Sequence, residues 1–241
     1  MISIPFFVLA LLASSHVVLA SLRTTDPPMF LTSCSFAGIP LQSAQLLIVA
    51  GNKSRLNSVA VYAAKRKPYG WIASFPPIDA TIGRNGFAEP GAKREGDGKT
   101  PSGVYPLLYA FGYAHEINTK MPYRQAGEND IWVNDPSSLD YNKWVRQGET
   151  TAISFENMKR KDGFYRYGVV IGHNIDPVVR GHGSAIFLHV WKRRDAPTSG
   201  CVAMAQKNLV HILGWLDPLK KPLIIMGTKE ALIKFDEMSW I

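Results

Sequence analysis

The chain has 241 residues, 46% hydrophobic and only 19% charged. That is enough apolar material for one large domain or two small ones, and too little charge for bulk disorder. Lysine and arginine outnumber acids 27 to 19, a net charge of +8. This balance suits an anionic partner, but no dense basic run, zinc-finger spacing or aromatic RNA-binding signature points to nucleic acid. Anionic envelope polymers and lipid headgroups fit the same charge.

In chain order, Ile2 to Leu12 is almost wholly apolar, and Val18-Leu19-Ala20 before Ser21 reads as a small-residue cleavage site. Residues 1–20 are therefore expected to be a secretory signal peptide, although no Lys or Arg precedes the apolar run. An uncleaved anchor is the alternative, but Ser14, Ser15 and His16 leave the run short for a membrane span. No stable span is expected after cleavage. Leu31-Thr32-Ser33-Cys34 resembles a lipoprotein box but stands too far from the apolar run. Residues 21–44 read as a linker or extended arm. Export opens a second role for the cysteines, a Cys34–Cys201 disulfide.

From residue 45 the pattern becomes strand-like. Leu46 to Ala50, Val59 to Tyr62, Trp71-Ile72, Ile78 to Ile82 and Gly103 to Leu108 read as short strands. Gly83 to Lys99 is a glycine-rich loop. Residues 112–145 are polar, aromatic and turn-rich, with a weak helix expected over Tyr141 to Gln147. Val169 to Ile171 and Ala185 to Leu188 are apolar strands. Leu209, Val210, Ile212, Leu213 and Leu216 form the stripe of a helix over 205–216 that Asp217-Pro218 ends. Pro222 to Gly227 is a closing strand, and residues 228–241 form a tail with no assigned role. The whole predicts an α+β domain, mainly β, with helices on its flanks.

The chemistry gathers at His189-Val190-Trp191 and Pro197-Thr198-Ser199-Gly200-Cys201-Val202. A strand carries His189 to its end, and the chain returns after a turn at Asp195-Ala196-Pro197. A reactive cysteine needs a base nearby and backbone N–H groups aimed at the oxyanion. Gly200 lets the backbone approach a substrate carbonyl. A cysteine shortly before a helix start also sits in a positive field that favours the thiolate. Taken singly, His189 reads as a structural histidine and Cys201 as a small buried hydrophobe. Together with the Ser-Gly approach they favour catalysis. His173 and Asn174 follow a strand and are expected to line the cleft, with Ser184, Trp191 and Tyr141 as further substrate contacts. Trp132 joins Trp191 and Tyr141 as an aromatic that could flank such a cleft, although aromatic residues are core by default. Asp97, Asp135 and Glu156 read as turn formers. His173, His182 and His189 lack metal-ligand spacing, so no metal and no cofactor is expected.

His189 with Thr198-Ser199-Gly200-Cys201-Val202 resembles the signature of the L,D-transpeptidase catalytic domain, the YkuD-type family. Glu95-Gly96-Asp97-Gly98-Lys99-Thr100-Pro101-Ser102-Gly103-Val104-Tyr105-Pro106 is similar to a second motif of that family. Asp135-Pro136-Ser137, Tyr141-Asn142 and Ile186 to Trp191 look like one exported, stand-alone branch. The resemblance covers about residues 45–227 and implies a β-sandwich-like catalytic domain that works by cysteine acyl transfer on peptidoglycan stem peptides, donor and acceptor, in the periplasm or cell envelope. It implies Cys201 as nucleophile and His189 as base. Gly200 and Cys201 N–H become oxyanion donors, with Thr198 and Ser199 shaping the loop. Many members carry Arg where this chain has Ala203, and Gly where it has Val190. A hydrolase on the same stem peptides, or an idle envelope-binding domain with Cys201 paired to Cys34, are the alternative expectations.

Overall fold

The computed structural model describes residue 36, residues 38–52 and residues 55–237. The expected signal peptide and Cys34 lie outside these residues. The apolar run at Leu46 to Ala50 becomes strand β1 (Gln45–Asn52). Its residues are apolar without alternation because both faces are covered: Leu47 and Val49 join the main core, while Leu46, Ile48 and Ala50 join a second cluster. Strands β2 (Arg55–Lys67) and β3 (Gly70–Thr81) form one long antiparallel hairpin rather than the separate pieces the sequence predicts. Pro76 and Pro77 interrupt the sequence pattern, and they fall at a register shift between Ala63↔Phe75 and Val61↔Ile78, where a missing N–H is tolerated.

Strands β4 (Gly103–Gly112), β5 (Tyr123–Gln125), β6 (Asp130–Val133), β7 (Trp144–Arg146), β8 (Phe155–Asn157), β9 (Tyr167–Ile171), β10 (Phe187–Val190) and β11 (Val202–Met204) follow, then helix α1 (Gln206–Trp215), strand β12 (Leu223–Thr228) and helix α2 (Lys229–Glu237). The main sheet runs β12-β1-β2-β3-β11-β10-β9-β4-β5, and β12 also pairs with β4. The sheet therefore closes on itself, which gives the expected mainly-β domain a barrel-like form. Its interior holds Leu107, Val169, Leu188, Val202 and Met204, and α1 adds Leu209, Ile212 and Leu213 to the same core.

The loop expected over 112–145 contains β5, β6 and part of β7, and β7-β6-β8 make a separate three-stranded sheet. Strands of three or four residues are too short to display alternation in sequence. The weak helix expected over Tyr141 to Gln147 does not form. Asn142 has φ +61, which interrupts a helix, and Val145 pairs across β6 with Ile131. The outermost segments also join the fold: Phe36 and Ile39 from the segment read as an arm, and Leu232 and Phe235 from the tail, pack with Leu46, Ile48 and Ile225. Among the described residues no helix is long and apolar enough to cross a membrane.

Candidate active site

Strand alternation builds the site. Along β10, Leu188 and Val190 enter the main core, so Phe187 and His189 face outward. Along β11, Val202 and Met204 enter the core, so Ala203 and the preceding Cys201 take the outward face. The two strands are parallel, with His189 opposite Ala203. Cys201 therefore stands one pleat repeat from the residue facing His189. The small Ala203 side chain leaves room there, and Cys201, Ala203 and His189 line one cavity of about 290 Å³.

Cys201 is 8% exposed and His189 7%. Cys201 Sγ donates to Ala185 O at 3.1 Å and accepts from Phe187 N–H at 3.4 Å. His189 Nδ1 lies 2.9 Å from Val190 O. A carbonyl only accepts, so Nδ1 carries the proton and Nε2 keeps its lone pair. The imidazole stands edge-on to Tyr165 at 5.4 Å and stacks on Phe164 at 6.3 Å. Arg160 lies over both of those rings, and Glu156 accepts from Arg160 at 2.9 Å and from Tyr165 Oη at 3.0 Å. Glu156, read from sequence as a turn former, thus lines the cavity and braces the wall behind His189.

Burial sets the protonation states. It pushes the Cys201 thiol up to about 12, offset in part by the Phe187 N–H, and brings His189 down to about 4. The resting pair is a neutral thiol and a neutral imidazole, with no hydrogen bond between them. This corrects the expectation of a thiolate favoured by a helix start. All of β11 separates Cys201 from α1, and a helix-end field fades within a turn. Alkylation of Cys201 by iodoacetamide at pH 7, followed by peptide mapping, is accordingly expected to run at least about a hundredfold slower in the folded than in the urea-unfolded protein. A mild thiol reagent then reports burial rather than catalytic competence.

The nucleophile loop is tied from several sides. Thr198 Oγ1 donates to Cys201 O at 2.6 Å and accepts from Gly200 N–H at 3.1 Å. Thr100 Oγ1 donates to Gly200 O at 2.7 Å. Gly200 has φ +155, and an added Cβ would sit 3.0 Å from Lys99 O, so only glycine fits without strain. The Gly200 N–H is thus engaged by Thr198, whose hydroxyl closes a local side-chain turn. Ser199 is exposed at the rim, and its Oγ accepts from Arg84 at 3.4 Å.

Ser184 and Trp191 line the cavity as expected from sequence. Tyr141 lies buried behind it and donates to Glu95, which does line it. His173 and Asn174 do not reach this cavity. They line a neighbouring one of about 190 Å³ with Tyr105 and His182. The His173 ring meets Tyr105 edge-on, and its Nε2–H donates to His182 O at 2.9 Å. Asn174 closes its own loop through Val179 N and O and Gly183 O. Asp97 anchors a loop by accepting from Lys93 Nζ, Arg94 N and Lys99 N. Among the described residues, no group of three or more His, Cys, Asp or Glu is arranged to hold a metal. Sequence reasoning missed Lys93, Glu95 and Arg84 as cavity residues, and Asn142 as a hub. The buried Asn142 accepts from Trp132 Nε1 at 2.8 Å and Ala185 N at 3.0 Å, and donates to the carbonyls of His173 and Asn174.

The barrel-like β domain thus brings Cys201, just before one strand, and His189, on the parallel neighbouring strand, to the wall of one cavity. The family model of the L,D-transpeptidase catalytic domain, YkuD, matches residues 49–229, and the chain belongs to that family. Among solved structures it is similar to the helical cell shape determining protein Pgp2 from Campylobacter jejuni, at 16% identity and a TM-score of 0.41, over 85% of this chain and 56% of that one. A point mutant of the same protein matches at 14% identity and 0.41, over 80% and 53%. The chain thus spans little more than half the length of those proteins. No curated protein matches.

Proposed function

We propose that the protein is a peptidoglycan L,D-transpeptidase of the cell envelope, with Cys201 as nucleophile and His189 as general base and acid. His189 Nε2 takes the thiol proton as sulfur bonds to a stem-peptide carbonyl, that of the diaminopimelate residue. The amide C–N bond breaks, the departing amine (D-alanine in the usual version) receives the proton from His189, and a thioester remains. An amine of a neighbouring stem then gives its proton to His189 and bonds to the carbonyl. The C–S bond breaks and the thiol is restored. One amide replaces another, so no external energy source enters. Because both groups rest neutral, proton transfer accompanies attack instead of preceding it. With the Gly200 N–H engaged, Cys201 N–H is the remaining oxyanion donor of the two expected from sequence.

The observation that carries this reading is the pairing, in one small cavity, of a held thiol with an imidazole whose Nδ1–H is fixed on Val190 O. The net charge of +8 suits an anionic wall polymer. The test is incubation with disaccharide-tetrapeptide, with and without an added amine acceptor, followed by chromatography. Crosslinked dimers and acceptor adducts are expected from the wild type and neither from Cys201→Ala. Trimmed monomers alone would make it a hydrolase. Equal turnover by Cys201→Ala would remove the cysteine from the mechanism.

A further inference from the structure

One end of the barrel carries charge and apolar surface that the fold itself does not use. Strand β1 starts there at Gln45, and β12 starts beside it with Leu223 opposite Leu46. The β2–β3 hairpin turns at the same end, between Lys67 and Gly70. Backbone bonds stitch these approaches together: Arg66 N–H donates to Ala44 O at 3.0 Å, and Ala44 N–H to Lys220 O at 2.8 Å. The Arg66 guanidinium donates to Ser43 O at 3.0 Å and Ile39 O at 2.8 Å, and lies 4.5 Å over the Trp71 ring. Segments 39–44, 65–71 and 217–221 therefore make one surface. It is strongly basic, with Lys65, Arg66, Lys67, Lys220 and Lys221 against a single acid, Asp217. That acid is occupied: it accepts from Leu219 N–H at 3.0 Å and faces Lys120 Nζ at 3.9 Å. Among the described residues the four lysines form no ion pair. Arg66 is satisfied by carbonyls, which do not neutralise it.

The same surface holds bare apolar side chains: Leu41 is 85% exposed, Tyr69 79% and Leu219 87%. Two of them sit on ordered turns. Tyr69 follows Pro68 in the two-residue turn of the hairpin, and Leu219 lies in a 3-10 turn, Pro218–Lys220, that Asp217 caps. Leu139 and Ile153 are as exposed, but they stand beside acids. Asp140 follows Leu139, and Asp135 accepts from Ile153 N–H at 3.0 Å. At the basic end, bare apolar tips coincide with cations that no carboxylate neutralises. The place of this end in the fold is equally defined. Strand β3 spans 12 residues from the hairpin to Thr81, which pairs with Ala203. At about 3.3 Å per residue, roughly 35 Å of strand separates the patch from the Cys201–His189 cavity. The chain also enters the described fold here: Phe36 and Ile39 pack with Leu46 and Ile48, and the apolar run Ile2 to Leu12 precedes them in sequence.

We propose that this end of the barrel is a docking surface for an anionic phospholipid bilayer, with Lys65, Lys67, Lys220 and Lys221 meeting lipid phosphates and Leu41, Tyr69 and Leu219 entering the headgroup layer. The proposal goes beyond the transpeptidase reading and does not depend on it. Charge alone fits any polyanion, and the apolar tips decide between them. A hydrated polymer offers Leu41 and Leu219 no dry phase, whereas a bilayer sets phosphates directly above acyl chains. A tyrosine, with an apolar body and a polar tip, suits that boundary, and lysine stems reach across it to the phosphates. Docking here leaves the cavity free, at the far end of β3.

The experiment is co-sedimentation of the full chain with vesicles of phosphatidylcholine, alone or mixed equally with phosphatidylglycerol. The ratio of the two partition coefficients is read within each variant, so any contribution of the apolar run 2–12 cancels. At about fivefold per cation, the wild type is expected to favour the anionic vesicles about a hundredfold at about 0.1 M salt, and to lose most of that preference at about 1 M. Lys65→Gln, Lys67→Gln, Lys220→Gln and Lys221→Gln together should lower the ratio by about thirtyfold or more. Arg146→Gln, Lys161→Gln, Arg180→Gln and Lys207→Gln together, an equal charge change at exposed sites elsewhere, should lower it by less than about threefold. Leu41→Ser with Leu219→Ser should weaken binding to anionic vesicles about tenfold and leave binding to soluble polyphosphate unchanged. Hydrogen exchange then locates the contact, with amides of 39–44, 66–71 and 217–221 slowed in vesicle-bound protein. Equal ratios in the two fourfold variants, or no slowing in those segments, would overturn the surface. Leucine variants that bind vesicles like the wild type would make the ligand a soluble polyanion instead. Cys201→Ala should bind as the wild type does, so this proposal and the transpeptidase reading fail separately.

Discussion

Replacing His189 by glutamine is expected to lower kcat on disaccharide-tetrapeptide by about 10²–10⁴-fold, the usual worth of a positioned general base. Glutamine keeps a polar end of similar reach but cannot take a proton from a thiol that burial holds near 12. The same substitution changes the acid stability of the fold. In the folded protein His189 titrates at about 4, whereas an unfolded histidine titrates near its ordinary 6.5. As pH falls from 6.5 towards 4, the unfolded chain gains a proton that the folded chain does not. Stability due to His189 is therefore complete above 6.5 and declines across that window, by about 3 kcal/mol in all. In His189→Gln this contribution to the slope disappears. Urea unfolding at pH 7 and pH 4 measures it. The fall in stability between the two should be smaller in the variant by about that amount, and equal falls would mean His189 is solvated.

Asn142→Ala is expected to be the most damaging single change outside the catalytic pair. The amide oxygen accepts from Trp132 Nε1 and Ala185 N–H, and the amide nitrogen donates to His173 O and Asn174 O. Asn142 is 3% exposed, so removing it strands these groups away from water. Its φ of +61 adds about 1 kcal/mol of strain for alanine. A loss of about 3–5 kcal/mol in urea unfolding follows. Activity should fall with it, because Ala185, one of the released partners, carries the carbonyl that holds the thiol. Asn142→Gly separates the causes: it relieves the backbone strain but not the broken bonds, so it should recover only about 1 kcal/mol. Full recovery by glycine would mean the hydrogen bonds contribute little.

Much of the barrel was legible because its strands are long or buried on both faces. The apolar run of β1 and the core stripe of α1 could be read without knowing their neighbours. Cys201 and His189 were singled out by the motif they share and the family it resembles; that they line one cavity follows from the pairing of β10 with β11, which the sequence does not display. What escaped depended on distant pairing. The three-stranded sheet β7-β6-β8 is built from segments too short to show a period, and Asn142 joins parts of the chain up to 43 positions apart. Glu95 meets Tyr141 across 46 positions and Ser184 across 89. The titration of Cys201 escaped for a related reason. Its burial comes from Phe111, Trp132, Tyr165 and Phe187, a cluster assembled from four strands and loops. Against that cluster the proximity of a helix start counted for little. His173 and Asn174 looked like cleft residues because they follow a strand, but the turn after β9 carries them to the neighbouring cavity.

The most direct measurement is the intact mass of the protein during reaction with disaccharide-tetrapeptide, wild type beside Cys201→Ala. A covalent acyl adduct mapping to Cys201, chased away by an added amine acceptor and absent from the variant, is the predicted result. Turnover by Cys201→Ala, or wild-type turnover with an adduct on a residue other than Cys201, would contradict the assignment of Cys201 as the nucleophile.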